Sequence, residues 1–265
     1  MNTKDKNTYI QKRKLLNGKK NIRNLIFIFL ISIISLAFIL NKTLNLKTEI
    51  SSMTNNDTLL SNYQTTSNLD TEDIFTVVID AGHGDWDVGA IGLTNSYEKD
   101  IVLDVALKLG PLLESQNINV VYTRTNDTLS WSDNSTENLY ERVNISNESN
   151  ADLFISIHCN SSYESSSYNG VETWYNIDDE ESYLFASLIQ NELSALEYTS
   201  DRGLKYYDKE ESLVVLEHNT APSALIELGF ISNLSDETFL TSEKGQSLSA
   251  EAIYNAILAY KDTLN

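Results

Sequence analysis

The stretch from Thr76 to Gly92, TVVIDAGHGDWDVGAIG, limits what this chain can fold into more than any other. Val77, Val78 and Ile79 read as a buried strand that runs into a tight glycine-rich loop carrying His83, one of three histidines in the protein. A strand ending in such a loop belongs to the α/β class, which gathers ligands at the carboxyl ends of its sheet strands. The spacing of Gly82, Gly84 and Gly89 does not fit the dinucleotide fingerprint G-x-G-x-x-G. Glycines around a histidine instead let the backbone approach closely while the imidazole points into the crevice, an arrangement suited to gripping a metal. An ordinary loop histidine is the alternative, and this stretch by itself leaves the two readings in balance.

Composition divides the rest of the chain. Eight Lys and Arg precede residue 25 against a single acid, Asp5, although the whole chain carries a formal charge of −19. Residues 1–24 therefore read as a basic cytoplasmic tail. Leu25 to Leu40, LIFIFLISIISLAFIL, is a run of 16 residues without a charge or a glycine, bracketed by Arg23 and Lys42. It is short for a spanning helix, but the flanking cations can reach the interfaces. A cleaved signal peptide competes with this reading, yet the leading region is long and no A-x-A-like site follows. The expectation is a retained single-pass anchor in the cell membrane, with the N-terminus cytoplasmic and everything after residue 41 extracellular. Residues 41–72, rich in Asn, Thr, Ser and Leu, read as a flexible linker, and residues 73–265 as one domain with a core of its own. The single cysteine, Cys159, permits no intramolecular disulfide. The acidic balance argues against nucleic acid as a partner, because no basic stripe is available to neutralise phosphates.

Within the domain, Asn95 to Ser115 reads as a helix with Val102, Val105, Leu109 and Leu112 on one stripe. Glu98 precedes Val102 by one turn and shares that stripe. Two readings of Glu98 stand. It is the N3 partner of a capping box started by Asn95, or it is a carboxylate at the head of a buried stripe that needs a partner such as a metal. Spacing alone favours the cap. Ile118 to Thr123 reads as a strand, Leu139 to Ser146 as a short helix, and Leu153 to His158, LFISIH, as a central strand covered on both faces. His158 thus ends a second strand, and Cys159, facing the other way, reads as packing. Val171 to Tyr175 is a further strand, and Glu181 to Leu196 a helix with Leu184, Leu188 and Leu193 inward. Arg202 to Leu204 turns into an irregular stretch, Leu213 to Leu216 is strand-like, and His218 sits in a polar loop as a surface or supporting histidine. Ser223 to Phe230, SALIELGF, is a strand broken by Glu227 among core-like neighbours. A carboxylate there is either a cleft-facing acid with a raised pKa or an inward glutamate paired to a cation. Leu248 to Tyr260 is an amphipathic helix that closes the domain.

Two histidines at strand ends, a glutamate on a helix and a glutamate near a strand end make the parts of a hydrolytic zinc site. No compact spacing such as H-E-x-x-H is present, and the lack of G-x-S-x-G disfavours a serine hydrolase. The order of motifs is more specific: IDAGHGDWDVGAIG, YEKDIVLDVALKL, VVYTRTND, LYERVNISN, ADLFISIHCNSS, GVETWYN, DRGLK and PSALIELGFISN follow one another across residues 79–233. In these pieces the chain resembles the zinc-dependent N-acetylmuramoyl-L-alanine amidases of the amidase-3 type. The resemblance implies one α/β domain, with a mixed, mostly parallel sheet of about six strands flanked by helices on both faces. It implies that His83, Glu98 and His158 bind Zn2+, that Glu227 is the catalytic acid and base, and that peptidoglycan is the substrate.

Departures from the family pattern are modest. Asp87-Val88-Gly89 stands where Asp-Pro-Gly is usual, Cys159 where a small residue is common, and Glu217 where an arginine often follows the leucine. Some relatives carry an inserted helix that plugs the site until a partner removes it. Here only residues 161–169 separate the His158 strand from the next, so the expectation is an open site that needs no activator protein. A zinc carboxypeptidase or deacylase on another wall amide, and a non-catalytic wall-binding regulator tethered to the membrane, are the competing functions.

Overall fold

The computed structural model describes residues 74–131, 134–207 and 213–264. The expected tail, anchor and linker lie outside them. Among the described residues a six-stranded sheet runs in the order β2-β1-β3-β6-β4-β5. Its strands are β1 (Thr76–Ala81), β2 (Asn119–Tyr122), β3 (Leu153–Asn160), β4 (Val171–Tyr175), β5 (Asp201–Tyr206) and β6 (Ser223–Phe230). Every pairing is parallel except β4 with β6. The mixed, mostly parallel sheet of an α/β domain is therefore present as expected.

Helices cover both faces: α1 (Glu98–Glu114), α2 (Ser135–Glu148), α3 (Glu180–Ser194), α4 (Val214–Glu217), α5 (Leu234–Leu240) and α6 (Glu243–Asp262). The alternation of strand side chains decides which residues meet which helices. Val77, Ile79, Leu153, Ile155, Ile157 and Ile226 point to the face packed by α1, α3 and α6. Val78, Phe154 and Leu225 point to the opposite face, where α2 and α4 supply Val143, Val215 and Leu216. Burial on both sides is why β1 and β3 carry continuous apolar runs instead of alternating ones.

Several elements differ from the sequence reading. Leu213–Leu216 is not a strand: it enters a single helical turn, α4, because a four-residue apolar run fits either period. Arg202 to Leu204, read as a turn into an irregular stretch, lies within the edge strand β5, whose polar residues suit a half-exposed edge. On α3 the fully buried apolar positions are Phe185, Ala186, Ile189 and Leu193, while Leu184 and Leu188 are only partly buried. The cap of α1 is Tyr97, whose side chain makes no capping bond, and Asn95 sits in the loop at φ +65°. Glu98 is thus the first residue of the helix and not the N3 member of a capping box.

Candidate metal centre

The face of the sheet that holds Val78, Phe154 and Leu225 turns polar toward the ends of the strands. Two residues further along come Asp80 on β1, Ser156 and then His158 on β3, and Glu227 on β6. His158 and Glu227 are direct neighbours in the β3–β6 register. His83 follows β1 at φ +61°, and Glu98 reaches in from the first turn of α1.

These positions bring three of the four predicted residues into one cluster. His83, Glu98 and His158 each offer one donor atom, and all three atoms lie within 4.8 Å of one another. Glu98 Oε1 is 3.1 Å from His83 Nε2 and 3.0 Å from His158 Nδ1. Its carboxylate is fixed from behind by the Cys159 backbone N–H, which donates to Oε1 at 2.9 Å, and by the Ala90 N–H, which donates to Oε2 at 2.8 Å. His83 is fixed by Asp87: an ionised carboxylate only accepts, so Nδ1–H donates to Asp87 Oδ2 at 2.8 Å and Nε2 is left with its lone pair toward Glu98.

The donor set suits zinc. Two imidazole nitrogens and one carboxylate oxygen are the ligand types of catalytic zinc sites, on the scale of bonds about 2 Å long. The space is kept by glycines. A Cβ at Gly82 would lie 2.3 Å from the His158 ring, and one at Gly89 would lie 2.6 Å from Glu98 Oε2. Electrostatics agree. Burial acts against charge on both Glu98 and His83, yet the two imidazoles hold the Glu98 carboxyl well below the usual range. Glu98 and Asp87 in turn raise His83 above its ordinary value. The three donors compete for protons that a cation would replace.

Glu227 stands beside this cluster. It lines a cavity of about 410 Å³ together with His83, Asp87 and His158. Its Oε2 is buried and has no hydrogen-bond partner among the described residues. Burial pushes its carboxyl well above the ordinary range, and the Glu98 and Glu172 carboxylates add to the push. Glu172 faces Glu227 across the β4–β6 pair and is itself held by Arg202 Nε at 2.6 Å. The sequence alternative of a Glu227–cation pair therefore has no counterpart among the described residues, where Arg202 pairs with Glu172 instead.

Residues 77–259 match the family described as Amidase_3, N-acetylmuramoyl-L-alanine amidase. The chain belongs to this amidase family. It is 42% identical over 189 residues to YqiI of Bacillus subtilis, covering 71% of this chain and 85% of YqiI. It is 37% identical over 187 residues to the N-acetylmuramoyl-L-alanine amidase LytC of the same organism, covering 70% of this chain and 35% of LytC, so it spans about a third of that relative. The catalytic domain of CwlV, an N-acetylmuramoyl-L-alanine amidase from Bacillus (Paenibacillus) polymyxa, shares the fold with a TM-score of 0.64 at 36% identity, covering 71% of this chain and 99% of that domain. Zinc is the cofactor of this amidase, and the His83, Glu98 and His158 cluster is where the donors for it converge.

Sequence reading missed the groups that hold the amidase loop in place. Arg142 of α2 pairs with Asp80 at 2.6 Å and donates to the carbonyls of Ala81 at 2.9 Å and His83 at 2.7 Å. Arg124 donates to the carbonyls of Ala81 at 2.9 Å and Gly82 at 2.8 Å. Two guanidinium groups thus take every carbonyl from residue 81 to residue 83. His218, the third histidine, lies outside the cluster, with Nε2 3.3 Å from the Tyr140 hydroxyl. Cys159 is buried at 4% exposure on the opposite face of β3, as its place in the strand requires.

Proposed function

We propose that His83, Glu98 and His158 are the zinc ligands of this amidase and that Glu227 moves the proton in its reaction. That reaction is hydrolysis of the amide joining N-acetylmuramic acid to L-alanine in peptidoglycan. One observation carries the role of Glu227: it lines the same cavity as the ligand set, and one of its carboxylate oxygens is buried without a hydrogen-bond partner among the described residues. Zinc, when bound, supplies Lewis acidity, lowering the pKa of water from about 15.7 toward about 7 and polarising a carbonyl oxygen. The Glu227 carboxylate takes the proton of the attacking water and returns it to the departing alanine nitrogen. Its raised proton affinity favours holding that proton between the two transfers. Asp87 keeps His83 in the tautomer that leaves Nε2 for the ion. Leu213, Val214 and Leu225 give the cavity an apolar wall beside Glu227.

The test is a pair of substitutions. Glu227→Gln keeps zinc and loses turnover by about 10²- to 10⁴-fold, whereas His83→Ala loses both. A Gln variant that works at the wild-type rate removes Glu227 from the reaction.

The domain organisation completes the proposal: a basic tail over residues 1–24, a single-pass anchor at residues 25–40, a linker over residues 41–72 and the amidase domain from residue 73 onward. The charge-free run from Leu25 to Leu40 and the eight cations before it support this arrangement. No helix among the described residues is long and apolar enough to cross a membrane, so attachment rests on that run. Protein that leaves the membrane fraction in a high-salt wash contradicts the anchor. The amidase also works without an activator protein, a reading supported by the short link between the end of β3 at Asn160 and the start of β4 at Val171. Purified chain that hydrolyses walls only after a second protein is added overturns it.

A further inference from the structure

Trp86 is the feature of the cavity that zinc chemistry does not use. It is 51% exposed, yet it lines the same cavity as His83, His158 and Glu227. A large aromatic left in water beside a reaction centre has apolar area to gain from a ligand. Its position is also fixed before any ligand arrives. Gly84 N–H donates to Asp87 O at 2.9 Å and Asp87 N–H to Gly84 O at 3.1 Å, closing a tight hairpin with Asp85 and Trp86 at its tip. The Asp85 N–H donates to Asp127 O at 2.8 Å, while Lys99 Nζ donates to Asp85 O at 2.8 Å and to Asp127 Oδ2 at 2.7 Å. A tip tied in this way presents the indole at little entropic cost.

The sheet order says which half of the substrate meets it. Trp86 follows β1, Glu227 is on β6, and His158 on β3 lies between them. Glu227 hands its proton to the departing alanine nitrogen, so the stem peptide leaves on the β6 side, toward the apolar residues Leu213, Val214 and Leu225. The acyl half, a lactyl group on a sugar ring, then extends over the β1 side. We infer that Trp86 is the platform on which the pyranose ring of N-acetylmuramic acid stacks, making this residue a determinant of selectivity for sugar-bearing amides. The inference rests on the amidase reaction proposed above. A pyranose presents a face of C–H bonds, and an indole face packs against it without charge or directional hydrogen bonds.

Two soluble substrates with the same scissile amide test it: N-acetylmuramoyl-L-alanyl-D-isoglutamine and D-lactoyl-L-alanyl-D-isoglutamine, which lacks the sugar. With the zinc-loaded full chain, Trp86→Ala lowers the ratio of kcat/KM for the sugar-bearing over the sugar-free substrate roughly tenfold, through KM, and Trp86→Phe restores most of it. A fall shared equally by both substrates, or an unchanged ratio, overturns the inference. Binding of the same two compounds to Glu227→Gln chain, with and without Trp86→Ala, separates this question from the amidase reading. If the wild type cleaves neither compound, the amidase reading fails. Sugar-dependent binding that weakens about tenfold without the indole still upholds the platform, and sugar-independent binding still removes it.

Discussion

Glu227 is a carboxyl that the metal-free fold holds at a cost, and stability measurements can read that cost. One oxygen of its carboxyl is buried, and desolvation together with the Glu98 and Glu172 carboxylates raises its pKa, so ionising it in the metal-free fold costs stability. A carboxyl with a raised folded pKa stabilises most below its unfolded value of about 4.3, and the contribution is lost as pH rises toward the folded value. Metal-free Glu227→Gln is therefore more stable than wild type at pH 7 in urea titrations, and the gap closes as pH falls toward 4. A Gln variant destabilised at neutral pH would show that the carboxyl is supported by a partner. Asp87 is tested differently, because it would act on a bound ion only through His83, to which it is hydrogen-bonded. Asp87→Asn lowers zinc affinity by about 10- to 100-fold in competition with a chromophoric chelator. An unchanged affinity would leave His83 oriented by its loop alone.

At the scale of elements, the strand β1, the loop behind it and the helix α2 form one unit around the Asp80–Arg142 pair. Asp80 also accepts from the Thr123 and Ser156 hydroxyls, both at 2.7 Å. Burial pushes its carboxyl up, but Arg142 and the two hydroxyls outweigh that and hold it below its ordinary value. A depressed carboxyl contributes stability above its unfolded pKa, about 3.9, and loses it as pH falls through the folded value. Asp80→Asn therefore flattens the acid side of the stability profile. Arg142→Leu leaves Asp80 buried and unpaired and costs about 3–5 kcal/mol, read from denaturant unfolding; a loss under 1 kcal/mol would mean that the loop carbonyls find other donors.

What the sequence could show at this scale follows from range. Buried strands such as LFISIH announce themselves because both faces are covered, and each of the two predicted histidines sits in or just after such a strand. The capping reading of Asn95 failed for a reason no local spacing contains. The loop before α1 is fastened by Glu237, whose carboxylate accepts from the Thr94 N–H at 2.9 Å and from the Ser96 hydroxyl at 2.6 Å across more than 140 residues of chain. The same limit hid Arg124 and Arg142, whose partners are backbone carbonyls distant in sequence. Glu98 was placed among the ligands by resemblance, and geometry supplies the physical reason: it is the first helical residue, aimed at two imidazoles.

For the whole molecule, metal and fold are linked. The donors come from the β1 loop, from α1 and from β3, so an ion that joins them stabilises only the folded chain. At a free zinc concentration a thousandfold above its dissociation constant the gain is about 4 kcal/mol. The expected outcome in calorimetry is a higher melting temperature with zinc and a return to the metal-free value with chelator; coincident transitions would contradict the ligand set. Because His83 is raised above its ordinary pKa, zinc must displace a proton there, and its affinity falls by up to about tenfold per unit as pH drops below that value. The most direct measurement is mass analysis of peptidoglycan digested by the zinc-loaded chain. Stem peptides released with a free L-alanine amino terminus by the wild type, and not by Glu227→Gln, are the predicted result. Products cut at any other wall bond, or equal release by the two proteins, would contradict it.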